Sequence, residues 1–163
     1  MAMPAEPDMG LLEAHYCFTA YKLNRSFARF YQAVFGDTGL TYPKYVILNV
    51  LAENGPLAIS QLSERAGVES NTLSPLLKRM AEVGVVERAR DPKDERRVVV
   101  TLTDMGRTAL TAARVAVAAG FADLGLDPDE VRRSITYMGH AQAKLDAAKP
   151  ARLTMAALTG QSD

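Results

Sequence analysis

The chain has no tryptophan and a single cysteine, and its 19 lysines and arginines are balanced by 19 aspartates and glutamates. One cysteine excludes an internal disulfide and leaves a thiol that is either core packing or a reactive group. Zero net charge means that global charge does not draw the chain to a polyanion, so any basic surface has to be local. No apolar run approaches the ~18 residues of a membrane span, and no membrane partner is expected. The start, MAMPAEPDMG, lacks a basic stretch followed by an apolar one, so no secretory signal is expected and a cytoplasmic location is. Two histidines, His15 and His140, have no partners at metal-ligand spacing; both read as surface or interface residues, and neither a metal nor a cofactor is expected. There is no internal repeat. What is present is a 163-residue chain, 48% hydrophobic and 23% charged, enough for one compact core.

Residues 1–10 read as a flexible tail. From Leu11 to Phe35 no proline or glycine interrupts the helical spacing of apolar residues, and GDTGL ends that helix. Thr41 is placed to cap the next helix, with Pro43 early in it and a nearly continuous apolar run, YVILNVLAE, to bury. Ser60 opens a short helix, SQLSERA, ended by Gly67. After the turn VES, a second helix, NTLSPLLKRMAEV, runs to Gly84. Two short helices joined by a glycine-containing turn are the helix-turn-helix pattern. VVERAR and RRVVVTL read as strands joined by the charged turn DPKDE. Thr103 caps a further helix, LGLDP breaks it, and Asp127-Pro128 opens a last helix ended by Pro150.

The expected fold is mainly α with a small β-hairpin wing. A winged helix-turn-helix spans 41–102, helical regions 11–40 and 103–150 pair two copies, and 151–163 is a C-terminal tail. A two-fold homodimer would match a pseudo-palindromic double-stranded DNA operator.

Ser70, Asn71, Thr72 and Ser74 fall at the start of the second helix, followed by Lys78 and Arg79. Such side chains reach base edges and phosphates, and the helix N-terminus favours phosphate. The plain alternative is a set of N-caps on a solvated face. Pro75 is expected to cost little, its missing N–H lying at or just past the free donors of the first turn. The wing sequence RARDPKDERR puts Arg88, Arg90, Lys93, Arg96 and Arg97 at or beside a rigid tip. An arginine there can enter a narrow minor groove, and Asp94 is placed to hold the Arg96 guanidinium by paired hydrogen bonds.

The thiol, Cys17, lies in AHYCFTAYKLNRSFARFYQ. At about 100° per residue Tyr21 is one turn on along the same helical face, and Tyr31 returns to within roughly 40° of the cysteine's direction. A phenol donating to the thiolate would favour the charged, nucleophilic form. Phe18 and Phe27 make the surroundings of the thiol apolar.

DERRVVVTLT, Asp94 to Thr103, resembles the wing signature of the MarR family of dimeric winged-helix transcription factors, and the order of elements agrees over about 11–149. The resemblance implies that helix 70–83 reads the major groove and Arg96 the minor groove. Within the family, YCFTAY, GLTYPKYVILNVL and NTLSPLLKRM followed by ERARDPKDERRV resemble the organic hydroperoxide resistance regulators. That implies a repressor, not an enzyme, whose cysteine, here Cys17, is oxidised by organic hydroperoxides and hydrogen-bonded by Tyr21 and Tyr31, with Tyr42 contributed by the partner subunit. A sulfenic acid on Cys17 has no second cysteine in the chain to resolve it, so a low-molecular-weight thiol is the expected co-reactant. Two other readings stand beside this one. In the first, a small aromatic ligand releases the operator and Cys17 only packs. In the second, the chain is a thiol peroxidase, which would need a resolving cysteine or a peroxidase motif that the sequence lacks.

Overall fold

The computed structural model describes residues 11–12, 15–91 and 94–149. Ten elements follow one another: α1 (Tyr16–Phe35), a 3-10 turn (Gly36–Thr38), α2 (Tyr42–Asn54), β1 (Leu57–Ala58), α3 (Ile59–Ala66), α4 (Ser70–Glu82), β2 (Val86–Asp91), β3 (Asp94–Leu102), α5 (Asp104–Asp123) and α6 (Pro128–Ala147). The strands form one antiparallel sheet in the order β1-β3-β2. The expected fold class, a winged helix-turn-helix with flanking helices, is therefore present.

The apolar run of α2 explains its place. Ile47, Leu48 and Leu51 are buried with Leu62 of α3, with Leu73, Leu77 and Met80 of α4, and with Val86, Val100 and Leu102 of the sheet. Each such side chain taken out of water contributes ~1.5–3 kcal/mol, which makes this the dominant core. Phe35, Ala113 and Val117 form a smaller one where α1, α2 and α5 meet, flanked by Tyr31, Val34, Tyr45 and Phe121.

The join between the wing and α5 is tight and polar. The Thr103 hydroxyl donates to the Gly84 carbonyl at 2.7 Å and accepts from the Gly106 N–H at 3.0 Å, so it caps α5 as its position suggested. Gly106 is required there, since a Cβ would overlap the Val85 carbonyl. Residues through Asp123 form one compact unit and Leu124 onward a second. In the second, the Asp127 carboxylate accepts from the N–H groups of Asp129 (2.7 Å) and Glu130 (3.3 Å), and α6 buries none of its residues. No single helix among the described residues is long and apolar enough to cross a membrane.

Several boundaries differ from those read in the sequence. α1 starts at Tyr16 rather than Leu11, and His15 at its N-cap makes no side-chain capping bond, so no capping residue marks that start. Thr41 stands at the N-cap of α2 but its hydroxyl makes no cap bond either. α3 begins at Ile59, one residue before Ser60, because Gln61 Oε1 accepts the Ala58 N–H at 3.1 Å and fixes the turn. The two-residue β1 had no sequence signal. β2 and β3 run into DPKDE until Asp91 pairs with Asp94, which shortens the expected turn. The last helix ends at Ala147; Pro150, Lys93 and the expected tails at 1–10 and 151–163 lie outside the described residues.

Candidate functional site

α4 is amphipathic by necessity. Leu73, Leu77 and Met80 fill the core, which leaves Asn71, Thr72, Pro75, Lys78 and Arg79 exposed on the outer face. The turn before it is locked by hydroxyls: Ser63 Oγ donates to the Val68 carbonyl at 2.6 Å, and Ser70 Oγ to Ser63 Oγ at 3.1 Å. Asn71 Oδ1 accepts from the N–H and hydroxyl of Thr72 at 2.7 and 3.3 Å, so its amide nitrogen is the group left to point outward. Ser74 is half-buried. The outer face thus gathers Asn71, Thr72, Lys78 and Arg79, while Ser70 is tied back to α3. Pro75 costs more than its sequence position suggested. The N–H groups of Thr72 and Leu73 already bond the Glu69 carbonyl at 3.0 and 2.8 Å, so the helical ladder has begun before residue 75.

β2 and β3 pair from Val86↔Leu102 to Arg90↔Val98, with an irregularity between Arg90 and Asp91. Arg90, Arg96 and Arg97 are exposed on this hairpin. The Asp94 carboxylate does something other than expected. Its Oδ1 accepts the backbone N–H of Arg96 at 3.1 Å, and among the described residues it makes no ion pair with that guanidinium. Asp94 therefore shapes the strand start rather than aiming the Arg96 side chain.

The four residues grouped around the thiol are not assembled within one chain. Cys17 is exposed in the first turn of α1. Tyr31 lies fourteen residues on along the same helix. At ~1.5 Å per residue that is ~21 Å, beyond the reach of any phenol. Tyr21 is 54% exposed. Its ring stacks on Phe18 at 6.4 Å and its hydroxyl accepts from Arg25 Nη1 at 3.0 Å, while Lys22 Nζ lies 4.8 Å from the Phe18 centroid. Among the described residues neither Tyr21 nor Tyr31 hydrogen-bonds Cys17.

Tyr31 instead joins Tyr42, with ring centroids 4.4 Å apart, inside a cluster with Phe30 (5.4 Å), Phe35 (5.6 Å) and Tyr45 (5.9 Å). Burial pushes the Tyr31 phenol above the usual tyrosine range, and the neighbouring Tyr42 and Tyr45 hydroxyls push it further the same way. The group therefore stays protonated, able to donate a hydrogen bond. Sequence reasoning missed Tyr45, whose signal was its i+3 spacing from Tyr42. It also missed a polar tie beside the cluster. Arg114 Nε and Nη2 donate to Asn49 Oδ1 at 2.9 and 2.7 Å, and Asn49 Nδ2 donates to the Tyr45 carbonyl at 2.8 Å, which joins α5 to α2. Among the described residues no cluster of His, Cys, Asp and Glu is arranged to hold a metal.

The profile of the family described as "Transcriptional regulator SarA/Rot" matches residues 29–112. The HTH-type transcriptional regulator TtmR of Methylorubrum extorquens is 40% identical over 107 residues, 66% of this chain and 55% of its own length. The organic hydroperoxide resistance transcriptional regulator of Bacillus subtilis is 36% identical over 95 residues, 58% of this chain and 65% of its own. The chain thus spans between about half and two thirds of these curated relatives. Among solved structures, overoxidized AbfR bound to DNA superposes with a TM-score of 0.68 at 32% identity, over 79% of this chain and 90% of that one. The chain belongs to the SarA/Rot family of transcriptional regulators, with a winged-helix fold of the MarR type.

Proposed function

We propose that the protein is a DNA-binding transcriptional repressor that works as a homodimer and senses organic hydroperoxides through Cys17. On DNA, α4 enters the major groove with Asn71, Thr72, Lys78 and Arg79 outward, Ser70 and Ser74 at its start, and the wing places Arg90, Arg96 and Arg97 over the backbone and minor groove. The AbfR chain that this fold resembles is bound to DNA. Regions 11–40 and 103–150 supply the dimer contacts. The exposed apolar side chains of α1, α5 and α6, among them Tyr16, Leu23, Val115, Ile135 and Leu145, are consistent with that role.

The observation that carries the sensing reading is the Tyr31–Tyr42 pair. Two phenol rings with centroids 4.4 Å apart, each hydroxyl able to donate, form a ready donor group for a thiolate. Their own Cys17 is ~21 Å along the helix, so a thiolate that meets them belongs to a second copy. The complete site is then Cys17 and Tyr21 of one protomer with Tyr31 and Tyr42 of its partner.

In the reaction, the Cys17 thiolate attacks one oxygen of the O–O bond. A sulfur–oxygen bond forms, the peroxide bond breaks, and the alkoxide leaves and takes a proton as an alcohol. The sulfenic acid then condenses with a low-molecular-weight thiol, releasing water and leaving a mixed disulfide. That adduct is too bulky for the space among the phenols, and displacing them moves α1 and changes the separation of the two α4 helices.

The test is anisotropy of a duplex selected from a random pool, at fixed salt, before and after stoichiometric cumene hydroperoxide with a small thiol present. Release of DNA with an added mass on Cys17, reversed by dithiothreitol, supports the reading. Binding that persists with Cys17 oxidised refutes it.

A further inference from the structure

This inference rests on the reading that α4 enters the major groove. Pro75 is the sixth residue of α4 (Ser70–Glu82). Proline pays twice at such a place. It has no N–H to offer the Asn71 carbonyl four residues back, and its ring disfavours the helical conformation of Ser74. The core gains nothing in return, because the buried residues of α4 are Leu73, Leu77 and Met80 and the Pro75 ring is exposed. A local rule broken on an exposed face, with no packing to offset it, points to function rather than folding.

The surroundings specify which function. Every other exposed residue of α4 carries a polar or charged group, so Pro75 is the one exposed residue of α4 whose side chain is wholly apolar. Nearby, the Asn71 carbonyl oxygen of the side chain is taken by Thr72, and the Ser70 hydroxyl by Ser63. Pro75 itself offers neither donor nor acceptor. Of the groups that base pairs display in the major groove, the one apolar group is the C5-methyl of thymine. We propose that Pro75 is a specificity-determining residue that packs its ring on a thymine methyl in each half-site.

The experiment uses the full chain and a duplex selected from a random 25-base-pair pool. Each thymine is replaced in turn by deoxyuridine, which removes only the methyl, and binding is compared for the wild type and Pro75→Ala. Alanine restores the backbone N–H, so this variant keeps the fold and should melt no lower than the wild type. The expected result is one thymine per half-site whose replacement weakens the wild type about fourfold, and about fifteenfold when both are replaced. Pro75→Ala should be indifferent to the same change. Deoxyuridine effects that are equal in the two proteins, or absent from both, overturn the proposal while leaving DNA binding intact. Failure to select any duplex overturns the DNA-binding reading and this proposal with it.

Discussion

The two halves of α1 draw on the same residue types and meet opposite surroundings. From Phe27 to Phe35, aromatic side chains find partners within the chain: Phe30 lies 4.8 Å from Phe121, and Phe35 5.5 Å from Tyr45 and 96% out of solvent. From Cys17 to Arg25, Cys17, Tyr21 and Leu23 are exposed, and among the described residues Tyr21 and Phe18 contact each other, Arg25 and Lys22. One helix is thus anchored at its C-terminal half and open at the half that carries the thiol. Phe35 is the one fully buried side chain of α1, and its exposed first half is the surface that the proposed second copy would cover. For the proposed sensor, displacing the end that carries Cys17 would not unpack the core.

The comparison can be broken most sharply at the thiol. Cys17→Ser should leave operator affinity within about twofold and abolish release by cumene hydroperoxide, read by anisotropy; release that persists would sink the sensing account. Next comes the packed half. Phe35→Ala should cost about 3–5 kcal/mol in urea unfolding, as for other buried aromatic truncations. Phe18→Ala in the open half should cost far less, and on the proposed homodimer its deficit should grow on dilution. Gly120 offers a finer cut. A Cβ there would lie 3.0 Å from Phe30 Cζ and 3.2 Å from Val34 Cγ2, so Gly120→Ala should overpack the α1–α5 contact by about 1–3 kcal/mol, set against the ~1 kcal/mol that alanine gains over glycine inside a helix. Arg114→Met, which unties α5 from Asn49 of α2, should cost about 1 kcal/mol, since the guanidinium is partly solvated.

The smallest effect is read at Tyr31 by pH. The folded-state pKa of Tyr31 is raised, so the folded chain holds that proton more tightly than the unfolded chain does. Its contribution to stability is full below pH ~10 and is lost as pH rises through the folded value. Tyr31→Phe should therefore leave stability at pH 7 almost unchanged and flatten the decline above pH ~10 in alkaline unfolding curves. An unchanged alkaline limb would contradict the burial of that phenol.

Much of this was legible in the sequence because most of the longer elements carry local signals that agree. The α4 stripe of Leu73, Leu77 and Met80, the Gly67 stop at φ 63° and the Thr103 and Asp127 caps all stand where pattern and capping chemistry put them. What was not legible is what depends on the third dimension. β1 is two residues long and is defined only by pairing with Val99 and Val100. Asp94 has two ways to satisfy its carboxylate near Arg96, and sequence spacing cannot choose the backbone N–H over the guanidinium. Tyr31 shares an angular direction with Cys17, and the helical wheel that shows it discards the ~21 Å of axial rise between them. Arg114 and Asn49 are 65 residues apart, and no local rule pairs them.

The central claim is that Cys17 of one protomer meets the Tyr31–Tyr42 pair of the other. The most direct test is Tyr42→Cys in the full chain, oxidised with diamide and read by non-reducing electrophoresis with mass mapping of the linked peptides. The account predicts a covalent dimer joined through residue 17 of one protomer and residue 42 of its partner, absent when Cys17→Ser is added. A protein that stays monomeric under diamide, or one that links only 17 to 17 or 42 to 42, would contradict it.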